Sequence, residues 1–267
     1  MMRIAGRALP STMGVLRRHN STVLKSLTTA FNEHPMKEAA RYTKKNDRWT
    51  FGKFDTISDD HANALFDMGL RTGDRVAIWL DESAEKHMVT ITAAKLGLSV
   101  IDFGSEVNTL SDLRQGLALA DCHSIYFEPS NATQNKLTLL RKAIPEFFYY
   151  DDTMGQEFHS KHFKKLKHFI HTGFDVEMGC LQLQDMFLPQ SADALTSTMT
   201  PMEMSNNYKA HVKLSDATPF YAKLQRGDSG LKLSNFATHG SIISEKQIPF
   251  VNNLASKVYF EVYTLSK

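Results

Sequence analysis

The sequence predicts an α/β domain: a mostly parallel sheet with helices on both of its faces. Three observations carry that expectation. Apolar runs at Arg75 to Leu80, Leu98 to Phe103 and Ser124 to Phe127 have strand length and are bounded by turn residues. Segments of helical period, Ser83 to Leu96 and Thr109 to Ala120, lie between them. A strand, a helix and a second strand at this spacing form a βαβ unit, which requires parallel neighbours and a right-handed crossover.

In chain order, Phe31 to Tyr42 reads as a short amphipathic helix and Trp49-Thr50-Phe51 as an extended entry. Gly52 to Met68 carries Phe54, Ile57, Leu65 and Phe66 near helical spacing, with Gly69 as terminator. Arg71 to Asp74 is a turn. Ser83 caps the next helix, Glu85 and Lys86 stand in its first turn, and Gly97 closes it. Ala132 to Ile144 is a further helix, and Phe147-Phe148-Tyr149-Tyr150 a further strand. An irregular insertion is expected over 151–210. Within it, Phe158, Phe163, Leu166, Phe169 and Ile170 fall roughly on one side of a helix. Its other face carries Lys161, Lys164, Lys165 and Lys167, a possible contact with anionic lipid, among His159, His162, His168 and His171. Gln190 to Asn207 reads as a loop. Thr218 to Leu224 is a strand, Ile242 to Leu254 a helix starting near Ser241, and Lys257 to Leu265 an alternating strand.

The 267 residues are 42% hydrophobic and 22% charged, which is ordinary for a globular chain with a core of its own. No run approaches the ~18 apolar residues that a membrane-spanning helix needs. Cys122 and Cys180 lack metal-ligand spacing and read as buried thiols. The first 32 residues hold Arg3, Arg7, Arg17, Arg18 and Lys25 and no acid, with scattered serines and threonines. That composition is a mitochondrial transit peptide or a disordered basic leader over 1–32, ahead of a domain over 33–267. Setting its five cations aside turns the net charge of +2 slightly acidic, so nucleic acid is not an expected partner.

Gln225 to His239 has the outline of a phosphate-gripping loop. Such a loop uses glycines so that backbone N–H groups reach the oxygens, with hydroxyls and a lysine to add donors and charge. Gly227, Ser229 and Gly230 keep that spacing, and Lys232 and Thr238 follow. Arg226, Asp228 and Leu233 stand where hydroxyls and a lysine are wanted, and Asp228 would repel a phosphate. Asp59-Asp60 and Asp151-Asp152 read as caps. The histidines of 159–171 lack the companions that a zinc site requires.

Two segments together resemble the AMP-forming acyl-CoA synthetases, the adenylate-forming enzymes. Residues 49–107 resemble the opening of that family through Trp49-Thr50-Phe51, Asn63-Ala64-Leu65, Gly73-Asp74-Arg75-Val76-Ala77-Ile78 and Ala93-Ala94-Lys95-Leu96-Gly97. Gln225 to His239 aligns without a gap with the family's loop, T-S-G-[ST]-T-G-x-P-K-G-V-x-x-T-H, matching at Gly227, Gly230, Thr238 and His239. The resemblance implies the fold of that family's N-terminal subdomain. It also implies that an aromatic–Thr–Glu segment, a ribose-binding Asp and a C-terminal lysine would be needed for adenylation, and Lys267 comes before them.

The expectation is therefore a pseudoenzyme, with no catalytic residues, no metal, no cofactor and a vestigial phosphate loop at Gly227, Ser229, Gly230, Lys232 and Thr238. Its expected role is an accessory subunit of a mitochondrial complex, with other subunits as partners, in the matrix or peripheral to the inner membrane. An ATP synthase or respiratory-chain complex of a euglenozoan protist is the expected setting. The alternatives are a residual acyl-CoA, fatty acid or nucleotide binder, and a half-enzyme completed by a separate chain.

Overall fold

The computed structural model describes residues 21–43, 46–130, 134–151, 156–187, 207–246 and 248–262. Helix α1 (Thr22–Glu33) opens the described chain. Its Ser21 cap accepts from the Leu24 N–H, and Val23, Leu27, Ala30 and Phe31, spaced along one face, are buried. Burying Leu27 and Phe31 contributes about 1.5–3 kcal/mol each. Residues 22–33 thus form a helix that packs on the core of the domain. The helix expected from Phe31 to Tyr42 gives way to strand β1 (Glu38–Tyr42), which pairs antiparallel with β2 (Asp47–Thr50).

Helix α2 (Phe51–Asp67), β3 (Arg75–Trp79), α3 (Ala84–Leu96), β4 (Ser99–Asp102), α4 (Leu110–Ala120), β5 (Ser124–Phe127) and α5 (Lys136–Ala143) follow the expected alternation. Each helix has a side-chain cap: Thr50, Ser83, Thr109 and Asn135 accept from the backbone of the first turn. Beyond α5 come β6 (His168–His171), β7 (Leu181–Gln182), α6 (Asn207–His211), β8 (Pro219–Gly227), β9 (Gly230–Leu233) and β10 (Ala237–Thr238). Helices α7 (His239–Glu245) and α8 (Pro249–Ala255) and strand β11 (Phe260–Val262) finish the described chain.

Among the described residues the main sheet has eight strands in the order β10–β8–β4–β3–β5–β6–β7, with β9 paired to β8. The pairs from β8 across to β7 are parallel, while β9 and β10 run antiparallel to β8. Strands β11, β1 and β2 form a second, small sheet. Successive side chains alternate between two cores, as the two-residue strand period demands. Val76, Ile78, Val100, Tyr126 and Ile170 face α1, α2 and α3, whereas Ala77, Trp79, Ile101, Ile125 and Phe127 face α4 and α5. Helices thus cover both faces of a mostly parallel sheet. No helix among the described residues is long and apolar enough to cross a membrane.

Three further expected elements differ. Phe147 to Tyr150 is not a strand: Pro145 starts a 3₁₀ turn over Pro145–Tyr149 in which Phe147 alone is buried. The helix expected over 158–171 is absent. That segment runs as coil and turn and ends as β6, with Ile170 and Phe169 in opposite cores. The expected insertion therefore supplies two strands of the sheet. The helix expected over 242–254 is broken in two, because Lys246 adopts a left-handed conformation and Pro249 starts a new helix. The loop expected from Gln190 to Asn207 lies almost entirely outside the described residues.

Gly97 ends α3 at φ 72°, and a Cβ there would meet Leu214 Cδ2 at 2.2 Å. Left-handed strain and overpacking then act together, so Gly97→Ala is expected to cost about 2–4 kcal/mol. A denaturant midpoint unchanged by this substitution would contradict the packing described.

Candidate functional site

The glycine loop is the turn of a tight hairpin. Gly227 pairs with Gly230 across Asp228 and Ser229, and Gln225 with Lys232 and Leu224 with Leu233 continue the ladder. Gly230 sits at φ 118°, a conformation open to glycine. Its flank is pinned from α4: the Leu231 N–H donates to Gln115 Oε1, and Gln115 Nε2 donates to the Leu231 carbonyl, both at 3.1 Å. Arg226 folds back to donate to the Glu106 carbonyl at 2.8 Å and lies 3.0 Å from Asp112 Oδ2. Asp228 and Ser229 are exposed at the tip. The exposed Lys232 runs its methylenes along Gly227, where an added Cβ would meet Lys232 Cε at 3.1 Å.

Thr238 stands eight residues past Gly230 and has a structural task. It caps α7 in a reciprocal box, accepting from the Ser241 N–H at 3.2 Å while its own N–H donates to Ser241 Oγ at 3.0 Å. His239 is fully buried, with Nδ1 2.8 Å from Ser21 Oγ. Burial pushes its pKa down to about 4, so it is neutral at physiological pH. The hairpin therefore brings Gly227, Ser229, Gly230 and Lys232 together and leaves Thr238 apart.

A second polar group was not legible in the sequence. In α/β sheets, ligand crevices lie outside the carboxyl ends of the parallel strands. Here the carboxyl ends of β3 and β4, with Tyr221 from the first half of β8, carry a polar network that is buried except at Glu82. Asp102 at the end of β4 lies 3.0 Å from Lys86 Nζ, accepts from the Tyr221 hydroxyl at 2.6 Å and accepts the Gly104 N–H at 2.9 Å. Lys86 also donates to Glu82 Oε1 at 2.7 Å. Glu82 Oε2 lies 3.0 Å from His87 Nε2, and His87 Nδ1 lies 2.6 Å from the Tyr42 hydroxyl. Phe250 of α8 stacks on His87 with ring centroids 3.8 Å apart.

The electrostatics of this network are self-contained. Burial works against the Lys86 charge, but Asp102 and Glu82 outweigh it and raise its pKa. The hydrogen bond from His87, aided by Lys86, holds the Glu82 carboxyl well below its usual range. Burial and the neighbouring Asp102 push the Tyr221 hydroxyl up, so it donates and does not ionise. Beside it, between β3 and β5, Lys136 donates to the Trp79 carbonyl at 2.9 Å, and burial lowers its pKa. The sequence signals were weak: Asp102 interrupts an apolar run, and Lys86 occupies the first turn of a helix that is otherwise buried.

Toward the other end of α3, a pocket of about 300 Å³ between α1, α2, α3 and α6 is lined by Asp55, Asp59, Lys95, Tyr208 and Lys209. Lys95 donates to Asp55 Oδ1 at 2.7 Å and Asp59 Oδ1 at 2.5 Å, and Lys209 to Asp59 Oδ2 at 2.5 Å. Burial opposes the Asp59 charge, but Lys95 and Lys209 outweigh it and lower its pKa. Of the four expected lipid-facing lysines, Lys165 pairs with Asp121 and Lys167 with Glu157, while Lys161 and Lys164 are exposed. No group of three or more His, Cys, Asp or Glu side chains among the described residues is arranged to hold a metal ion. Cys122 and Cys180 are buried free thiols, and burial pushes Cys122 up to about 12.

Comparison with known proteins places this geometry. Residues 27–134 match the model of the AMP-binding enzyme family. YngI of Bacillus subtilis, assigned as an acyl-CoA synthetase, is 23% identical over 225 residues, 84% of this chain and 39% of that protein. The mitochondrial medium-chain acyl-CoA ligase ACSF2 of Mus musculus is 27% identical over 127 residues, 48% of this chain and 20% of that protein. The chain thus spans well under half the length of these relatives. Among solved structures, the luciferase-like enzyme of the mealworm Zophobas morio superposes with a TM-score of 0.66 at 14% identity, over 94% of this chain and 56% of that one. The anthranilate CoA ligase AuaEII superposes at 0.58 with 17% identity, over 84% of this chain and 35% of that one. At these identities the structures establish a shared fold.

Proposed function

We propose that this chain, whose N-terminal part is an AMP-binding enzyme domain derived from the acyl-CoA synthetases, keeps the fold without the adenylating chemistry. In this reading it is a non-catalytic accessory subunit of a mitochondrial multi-protein complex. The observation that carries the proposal is the hairpin at Gly227 and Gly230. A phosphate cradle needs free backbone donors and positive charge around the anion. This hairpin engages the Leu231 N–H with Gln115, turns the Arg226 guanidinium onto Asp112, and exposes Asp228 at its tip.

The crevice at the strand ends supports the same reading, because its lysine, carboxylates and tyrosine bond one another. Without adenylation to perform, the fold is useful as a surface for other subunits. The acid-free basic stretch at the start of the chain and the likeness to ligases named as mitochondrial support that compartment, in the matrix or peripherally on the inner membrane. ATP synthase and the respiratory-chain complexes are the assemblies to examine first.

Native purification of the tagged protein from mitochondria tests the role. Co-migration with a megadalton assembly is expected. A free monomer at full abundance would contradict it.

A further inference from the structure

The turn that was expected to be a strand leaves two aromatic rings in solvent. Phe147 anchors it by stacking on Phe169 with centroids 3.8 Å apart. Phe148 is 55% exposed and Tyr149 83%, with their rings 5.1 Å apart and nearly perpendicular. Together with Thr138, Arg141, Lys142 and Pro145 they line an open groove of about 430 Å³.

The exposed charges around this pair lean positive. Lys142 lines the groove and Lys161 is brought beside the turn, since its backbone N–H donates to Glu146 Oε1 at 3.2 Å. Both lysines are exposed, and neither has an ion pair among the described residues. Glu146, the acid of the turn, is directed inward: one carboxylate oxygen takes the Lys161 N–H and the other is buried. Arg141 is 3.6 Å from Glu177 and is neutralised. What faces solvent is an aromatic pair with two exposed lysines beside it that make no direct ion pair among the described residues. Rings of this kind partition into the headgroup layer of a bilayer, and nearby lysines are drawn to anionic lipid phosphates. An apolar protein partner would use the rings and leave the lysines without a role.

We propose that the Phe148–Tyr149 turn, with Lys142 and Lys161, is a docking surface for an anionic phospholipid bilayer on which the protein sits peripherally. This proposal does not depend on the accessory-subunit reading, because its partner is a lipid surface and its test uses the chain alone. It also narrows the lipid contact expected from the sequence, since Lys165 and Lys167 are already paired with acids.

Co-sedimentation of the whole chain with phosphatidylcholine vesicles, and with phosphatidylcholine–cardiolipin vesicles, tests it. Saturable binding to the anionic vesicles alone is expected, weakening as salt is raised. Lys142→Gln and Lys161→Gln should each weaken binding about fivefold. Phe148→Ser with Tyr149→Ser should abolish it while leaving the melting temperature unchanged, because both rings are exposed. Failure to bind either vesicle overturns the proposal, as does equal binding to neutral vesicles or binding indifferent to these substitutions. A dimer or protein complex dispersed by Tyr149→Ser would instead make the turn a protein interface.

Discussion

Replacing Asp102 by alanine is expected to destabilise the protein by about 2–4 kcal/mol, because it leaves the buried Lys86 with only the exposed Glu82 as counter-charge. The Tyr221 hydroxyl and the Gly104 N–H lose their acceptor in the same step. Tyr221→Phe removes one donor and leaves Asp102 its lysine, so its cost should be about 1–2 kcal/mol. A combined Lys86→Met, Asp102→Leu variant should lose less than the two single losses added together, since the buried ammonium and carboxylate leave together and Glu82 is solvated. Urea unfolding of these variants, and of Lys86→Met and Asp102→Leu singly, measures this. Additive losses would mean that Lys86 and Asp102 are not coupled and that the strand-end network is wrongly described.

Acidification from about pH 7 to about pH 5 is expected to lower stability well before the carboxylates titrate. His61 is fully buried between Thr92 Oγ1 at 3.2 Å and the Tyr126 hydroxyl at 3.1 Å, and burial pushes its pKa down to about 3. His239 is pushed down to about 4 for the same reason. In the unfolded chain both titrate near 6.5. Above ~6.5 neither state binds the protons and the full stability is present. Below it the unfolded chain takes up protons that the folded chain refuses, so stability falls as pH falls, until each folded pKa is reached. Each histidine contributes about 1.4 kcal/mol per pH unit within that window. His61→Gln should flatten the slope. A denaturation midpoint constant between about pH 7 and about pH 5 would contradict this account.

The βαβ core was legible because its signals are local and agree with one another. Ser83 and Gly97 mark the ends of α3 by cap chemistry, and Val76, Ile78 and Ala77 alternate as a strand with both faces covered must. The aromatic run Phe147 to Tyr150 misled because β propensity describes a half-buried surface, and Pro145 imposed a turn that buries one ring of the four. The segment 158–171 misled because apolar residues at near-helical spacing can also be buried from a coil. Phe158 and Leu166 share one core with Phe169, while Ile170 lies in the other.

The candidate site was legible only in part. Gly227 and Gly230 were found because a tight turn leaves a mark in sequence. The Lys86–Asp102–Tyr221 network joins residues 119 positions apart through parallel pairing of β4 with β8, and no local pattern encodes that. Gln115, which closes the hairpin from α4, is likewise invisible until β9 is seen to pack on that helix.

The central claim is that the fold persists while its phosphate-binding chemistry does not. Calorimetric titration of the folded chain with ATP and Mg²⁺, with AMP and with acyl-CoA tests it most directly. The account predicts no saturable heat at millimolar ligand, about 1,000-fold weaker than micromolar binding, and no shift in melting temperature. Micromolar binding of any of the three, lost on substitution at Gly230 or Lys232, would contradict it and make the hairpin a working site.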